Sequence, residues 1–237
     1  MNLYHSYIKY YLSLMILAVV CSASIYAQDD PVMSYLHHTG DYADIYNGEM
    51  EPVYNIFRYD NFPYYMSPYF TEASIVYKNN FYPNQRVRLD LYKEQLILVL
   101  PAKQFGIVIN SQNVDRVHMY NKTFVRLAPP KKSGLRQGFY IQLSESEKIQ
   151  MYRKDYFNID QRKVKYAFEG KTQYYLLYKD QYYTVKNKNS FSKIFPQYKK
   201  QINQYSKEKK LNYEQFKDES FISLAAFCEE LLTTINE

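Results

Sequence analysis

Apolar and polar residues alternate with a period of two through the middle of this chain. In VRLDLY (87–92), Val87, Leu89 and Leu91 point to one side and Arg88, Asp90 and Tyr92 to the other, the pattern of a strand with one buried face. SIVY (74–77) lies just before it, across the turn-prone Lys78-Asn79-Asn80. QLILVL (95–100) follows a short Lys93-Glu94 break and is apolar throughout, which predicts a strand deep in the sheet. FGIVI (105–109), VDRVHMY (114–120), TFVRLA (123–128), LRQGFYIQL (135–143), KIQMYRKDYF (148–157) and KVKYAF (163–168) continue the series, with PPKKSG (129–134) as the clearest surface loop. In the last predicted hairpin, residues 172–187, Tyr174, Leu176 and Tyr178 share a face that Tyr183 and Val185 oppose across a turn at Lys179-Asp180. Short strands at regular intervals with polar turns predict a meandering antiparallel sheet, curved or barrel-like.

The period changes in the tail. Phe195, Tyr198, Ile202 and Tyr205 recur at helical spacing, with Pro196 suited to a helix start. Asn212 breaks that pattern. Asp218 is the expected N-cap of a second helix, with Glu219 in its first turn and Phe221, Leu224, Ala225, Cys228, Leu231, Leu232 and Ile235 as its apolar stripe. The predicted fold is therefore α+β, mainly β, with two C-terminal helices over about residues 190–237 closing one face of the sheet. Residues 73–237 read as a single β-rich domain. Residues 28–72 show no sustained period and are rich in Tyr, Asp, Asn and Pro. They are expected to form an extended arm on the main body, pinned by aromatic side chains and a candidate for an edge strand.

The first residues follow a different logic. Lys9 and the amino terminus supply positive charge, residues 12–20 a short apolar core, and Ala23 and Ala27 small residues at cleavage positions. That is a secretory signal peptide over residues 1–27. The apolar run falls well short of the roughly 20 residues a bilayer-spanning helix needs, so no transmembrane span is expected. Cleavage after Ala27 is favoured and after Ala23 is second. Lipidation at Cys21 is disfavoured, because Val20 stands where the lipoprotein peptidase takes a small residue. The expected location is the periplasm or the outer-membrane periphery.

Composition narrows the function less than the leader does. The net charge of +6 suits contact with anionic surfaces, but a modest excess also simply keeps a protein soluble. With Cys21 removed, Cys228 is the one cysteine left, so no intrachain disulfide forms and apolar contact must hold the fold. The chain has 29 Tyr, 14 Phe and no Trp, as expected where strands carry Tyr on half-exposed faces. The alternative is an aromatic ligand platform, for which Tyr174, Tyr175, Tyr178, Tyr182 and Tyr183 are the candidates.

Catalytic patterns are sparse. His37 and His38 are adjacent, with Asp41 and Asp44 behind them. Neighbours in an extended chain point apart, and no His-x3-His spacing or cysteine partner accompanies them, so no metal site is expected. His118 falls in an alternating strand, and Cys228 on an apolar helical stripe where a thiol is inert. Asp90 with Glu94, and Asp155 with Asp160, are the nearest carboxylate pairs that could serve a hydrolase. No GxSxG and no glycine-rich phosphate loop occurs, and no cofactor is expected. Lys199, Lys200, Lys207, Lys209 and Lys210 interleave with Tyr198 and Tyr205. They read as a solvated helix face, and export argues against nucleic acid.

Around SIVYKNNFYPNQRVRLDLYKEQLILV the chain resembles a family of uncharacterised secreted proteins of the Bacteroidetes. The shared features are Val76-Tyr77, Asn79-Asn80, Phe81-Tyr82 and the apolar–basic–apolar–acidic alternation from Val87 to Asp90. YNGEMEPVY (46–54) and the late YYLLYKDQYYTVKNKNSFSKIFP are similar as well. The resemblance implies export and a compact β-rich fold with C-terminal helices; it implies no catalytic residue and no ligand. The expected function is that of an exported, non-catalytic envelope protein acting through protein–protein contact. A glycan- or lipid-binding module using Tyr-rich sheet faces is the alternative, and a hydrolase comes last.

Overall fold

The structure is a computed structural model that describes residues 34–234, apart from Leu36, His37, Asp41, Tyr42, Ile56, Ala102, Gln104, Pro130, Lys131, Lys132 and Lys163. The expected signal peptide with Cys21, as well as His37, Asp41 and Ile235, lies outside the described residues. The body of the protein is the unit Thr39–Glu237.

Eleven strands form one antiparallel sheet: β1 Gly48–Met50, β2 Thr71–Tyr77, β3 Asn80–Asp90, β4 Gln95–Val99, β5 Gly106–Ile109, β6 Val114–Met119, β7 Lys122–Leu127, β8 Gly138–Glu145, β9 Ile149–Asp160, β10 Ala167–Tyr178 and β11 Gln181–Val185. Their order is β1-β5-β4-β3-β2-β6-β7-β8-β9-β10-β11. Two meanders thus run outward from β2, which pairs with both β3 and β6. The alternation anticipated at 87–91 is real: Val87, Leu89 and Leu91 are buried. Pro83 is tolerated inside β3 because the ladder shifts register there, with Ala73 opposite Gln85 but Ile75 opposite Tyr82, and Asn84 takes φ +55°.

The sheet is strongly curved. Only residues 110–113 join β5 to β6, although β4, β3 and β2 lie between them in the order. A flat sheet would set them about 19 Å apart, beyond the roughly 17 Å that such a link can reach. Farther along, the Phe157 amide of β9 donates to the Leu91 carbonyl at 3.3 Å, and Lys154 pairs with Glu94 at 2.6 Å. The curl does not become a barrel: among the described residues β1 and β11 stand at the two ends of the strand order. The barrel-like option is corrected accordingly.

Three helices follow the sheet, not two: α1 Lys188–Ile194, α2 Lys199–Glu208 and α3 Lys217–Thr233. The additional helix is α1, which ends before Phe195-Pro196, and Pro196 opens the turn that leads into α2. Proline drives the residue before it out of the helical region, and Phe195 sits at φ −121°, ψ 66°. Phe191, Phe195, Ile202, Phe221, Leu224, Ala225 and Cys228 from the helices meet Ile149, Met151, Leu176 and Val185 of the sheet in one core. Burying each large side chain there contributes about 1.5–3 kcal/mol. On the opposite face Tyr140, Tyr152 and Tyr175 form a separate buried cluster.

Candidate functional site

The arm between β1 and β2 has little regular structure, yet it is fixed to the sheet by buried polar groups. The Glu51 amide donates to the Gly106 carbonyl at 2.9 Å. Its carboxylate accepts from the Tyr64 hydroxyl at 2.9 Å and from Arg88 Nε at 3.0 Å, with a further bond from Arg88 Nη2. A Cβ at Gly106 would collide with that carboxylate and with Ile97, so only glycine lets the arm come this close. Arg88 also donates to the Pro68 carbonyl at 2.7 Å and stacks over the Tyr64 and Phe70 rings, each centroid 4.4 Å away. The Tyr54 hydroxyl donates to Asp90 Oδ2 at 2.7 Å, while Asp90 Oδ1 accepts the Tyr92 and Lys93 amides, both at 2.8 Å. Burial pushes the Asp90 carboxyl above its ordinary value, against those donors. Burial likewise raises the Tyr54 and Tyr64 phenols. Asn61 clasps the Phe168 backbone at both ends, at 2.7 and 2.9 Å.

The same segment exposes large apolar side chains among polar ones such as Glu49, Asn55, Arg58 and Asp60. Met50, Val53, Phe57, Met66 and Tyr69 are each 70–81 % exposed. Met66 also holds φ +60°, a conformation that non-glycine residues adopt at a cost.

Next to Met66 lies a cleft of about 350 Å³ over β9 and β10, walled by Tyr65, Tyr156, Phe157 and Tyr174. On its floor Arg153 Nε and Nη2 reach Asp155 Oδ2 at 3.1 and 2.8 Å, and Nη1 reaches Asp218 Oδ2 at 2.5 Å. Asp155 also accepts from Thr172 Oγ1 at 2.8 Å. Burial alone would lower the Arg153 guanidinium; the carboxylates of Asp155 and Asp218 outweigh it and the net shift is upward. Lys122 approaches Asp218 at 3.7 Å, and Lys171 also lines the cleft, so three cations stand beside two anions there. Paired polar groups framed by phenol rings suit a polar ligand.

The five hairpin tyrosines do not share one surface. Tyr174, Tyr178 and Tyr183 belong to the core beneath the helices, and Tyr175 and Tyr182 to the cluster on the opposite face. Tyr174 is buried and donates to Asp218 Oδ1 at 2.8 Å; Tyr175 donates to Gln173 at 2.6 Å and Tyr183 to Gln181 at 2.7 Å. Tyr182 lies tilted over Tyr152 at 6.2 Å. Tyr178 packs edge-on against Phe195 and lines a cavity of about 560 Å³ with Tyr198 and Leu232. Only Tyr174 borders the cleft.

The acidic pairs are engaged separately. Glu94 holds Lys154 and accepts the Phe139 amide at 2.9 Å, and Asp160 takes a two-point contact from Arg162. Asp155 and Asp160 are an odd number of residues apart on β9 and face opposite ways. His118 Nδ1 lies 3.3 Å from Thr123 Oγ1, and His38 Nδ1 lies 2.7 Å from the Ser34 carbonyl. No group of three or more metal-ligating side chains gathers among the described residues. No described helix is long and apolar enough to cross a membrane. Asp218 is not the N-cap; Phe216 is, and Asp218 sits second in the first turn, drawn to Arg153 and Tyr174. Alternation does place Arg153 and Asp155 on one face, but nothing local signals that Asp218, 65 residues later, completes the site. Compared with known protein families, curated proteins and solved structures, the chain gives no match.

Proposed function

We propose that this protein is exported and acts without covalent chemistry, by docking an envelope protein on the outer side of its arm, residues 48–70. The observation that carries this reading is the pairing of opposites in one segment: Glu51, Tyr54 and Tyr64 lock it inward, while Met50, Val53, Phe57, Met66 and Tyr69 stand in water. Single exposed apolar residues are ordinary on any surface, but five large ones on one segment whose backbone is held from within suit a contact. A backbone already held in place loses less entropy on docking, which favours affinity. Among the described residues β1 is also an edge of the sheet, to which a partner strand can add. The engagement of Asp90, Glu94, Asp155 and Asp160 by donors supports a non-catalytic role.

The test is site-specific photocrosslinking in the producing cells, with a benzophenone side chain at Phe57 or Tyr69 and a control at Phe81, which is also exposed. One shared adduct from the two arm positions, and none from Phe81, is expected. No adduct from the arm, or the same adduct from Phe81, contradicts the proposal.

The cleft beside Arg153 favours a second reading, a glycan module. Calorimetry against neutral oligosaccharides, with Tyr156→Ala expected to abolish any binding, separates it from the first.

A further inference from the structure

A further recess lies against the helices, and its lining is strongly basic. The stretch leaving β11 faces the carboxyl end of α2 and the α2–α3 link across a cleft of about 810 Å³. Lys186, Lys188, Lys207, Lys210 and Lys217 line it, against the single acid Glu214. None of these lysines is in ion-pair range of a carboxylate among the described residues. Like charges gathered round one concavity repel, and the low-dielectric walls focus their field.

Lys210 adds an independent observation. α2 ends in a Schellman turn, with the Leu211 amide donating to Ser206 at 3.0 Å and the Lys210 amide to Lys207 at 3.1 Å. Lys210 occupies the left-handed position of that turn, φ +51°, where glycine is strongly preferred. A lysine therefore stands at a place where the backbone favours glycine, and its side chain lines the cleft.

We propose that this cleft binds a ligand carrying two or more clustered phosphate groups. Several ammonium groups match a multivalent anion better than a single one, and the recess is far larger than one phosphate. Lysines act as compact rotatable point charges, lacking the planar fork of arginine, so charge density is what the site reads. A soluble polyphosphate and a phosphorylated lipid headgroup share this chemistry.

The experiment uses the full mature chain. Calorimetry with tripolyphosphate measures the soluble arm, and co-flotation with vesicles containing phosphatidylinositol bisphosphate, against phosphatidylcholine vesicles, measures the headgroup arm. Binding in either arm is expected, weakening steeply with added salt. Lys207→Gln with Lys210→Gln should weaken it at least about tenfold. Lys199→Gln with Lys200→Gln, the same charge change outside the cleft, should leave it intact. Lys210→Gly should raise the melting temperature and still weaken binding, which separates ligand loss from misfolding. Tripolyphosphate binding identifies a soluble ligand, and vesicle binding alone a headgroup. Absence of binding in both arms, or equal loss from the two lysine pairs, overturns the proposal.

Discussion

Burial sets the chemistry of single residues here. The Cys228 thiol is fully enclosed by the helix–sheet core, which pushes its pKa up to about 12. Thiolate, not thiol, is the reactive form. In a Cys21→Ser background, Cys228 is expected to resist alkylation at neutral pH until the protein is unfolded, as counted by mass. Asp90 gives a pH signature. Its carboxyl is raised by burial from an ordinary value of 3.8, so the folded state keeps a proton that the unfolded chain releases. Stability from this group is greatest in acid and falls as pH rises through the elevated value. Urea unfolding should therefore show the wild type losing ground to Asp90→Asn as pH rises from about 4 to 7; movement the other way contradicts burial as the dominant cause. Lys154 is buried and its partner Glu94 half-buried; burial pushes each toward neutrality and each holds the other charged. Lys154→Met alone should cost about 3–5 kcal/mol, and adding Glu94→Gln should recover most of it.

At the level of elements, the hairpins use unusual turns. Lys78-Asn79, Tyr120-Asn121 and Lys179-Asp180 all have positive φ, between 49° and 62°, as two-residue turns matched to strand twist require. None contains glycine. Replacing Lys179-Asp180 by Asn-Gly should raise stability by about 1 kcal/mol in denaturant unfolding. Most strands were legible in the sequence because a half-buried strand must alternate, and their centres fall where that pattern puts them. The exception is β10. EGKTQ interrupts its apolar residues and reads as a break, but these residues are the exposed stretch of one long strand paired with β9. Helix α1 was also hidden, since its seven residues are too few to show a helical period. Asp218 shows why the cleft was illegible: it satisfies every local rule for an N-cap and is claimed instead by Arg153 and Tyr174. Asp218→Ala should cost about 1.5–3 kcal/mol by freeing a charged donor.

Across the whole molecule, one asymmetry dominates. The helices cover one face of the sheet around β8–β11, and the arm covers the region around β3 and β5 without forming long elements itself. Fixing so irregular a segment loses conformational entropy of about 1–2 kcal/mol per residue, which aromatic burial and the Glu51–Arg88 and Tyr54–Asp90 contacts must offset. A chain that orders such a segment while leaving its large apolar residues in water presents a preformed surface, and the docking proposal depends on that rigidity. Hydrogen–deuterium exchange of the free protein tests it most directly. The amides of Glu51, Asp60 and Tyr65, bonded to Gly106, Tyr166 and Leu89, should exchange as slowly as those of β2 and β3. Exchange at the rate of an unstructured chain would contradict it.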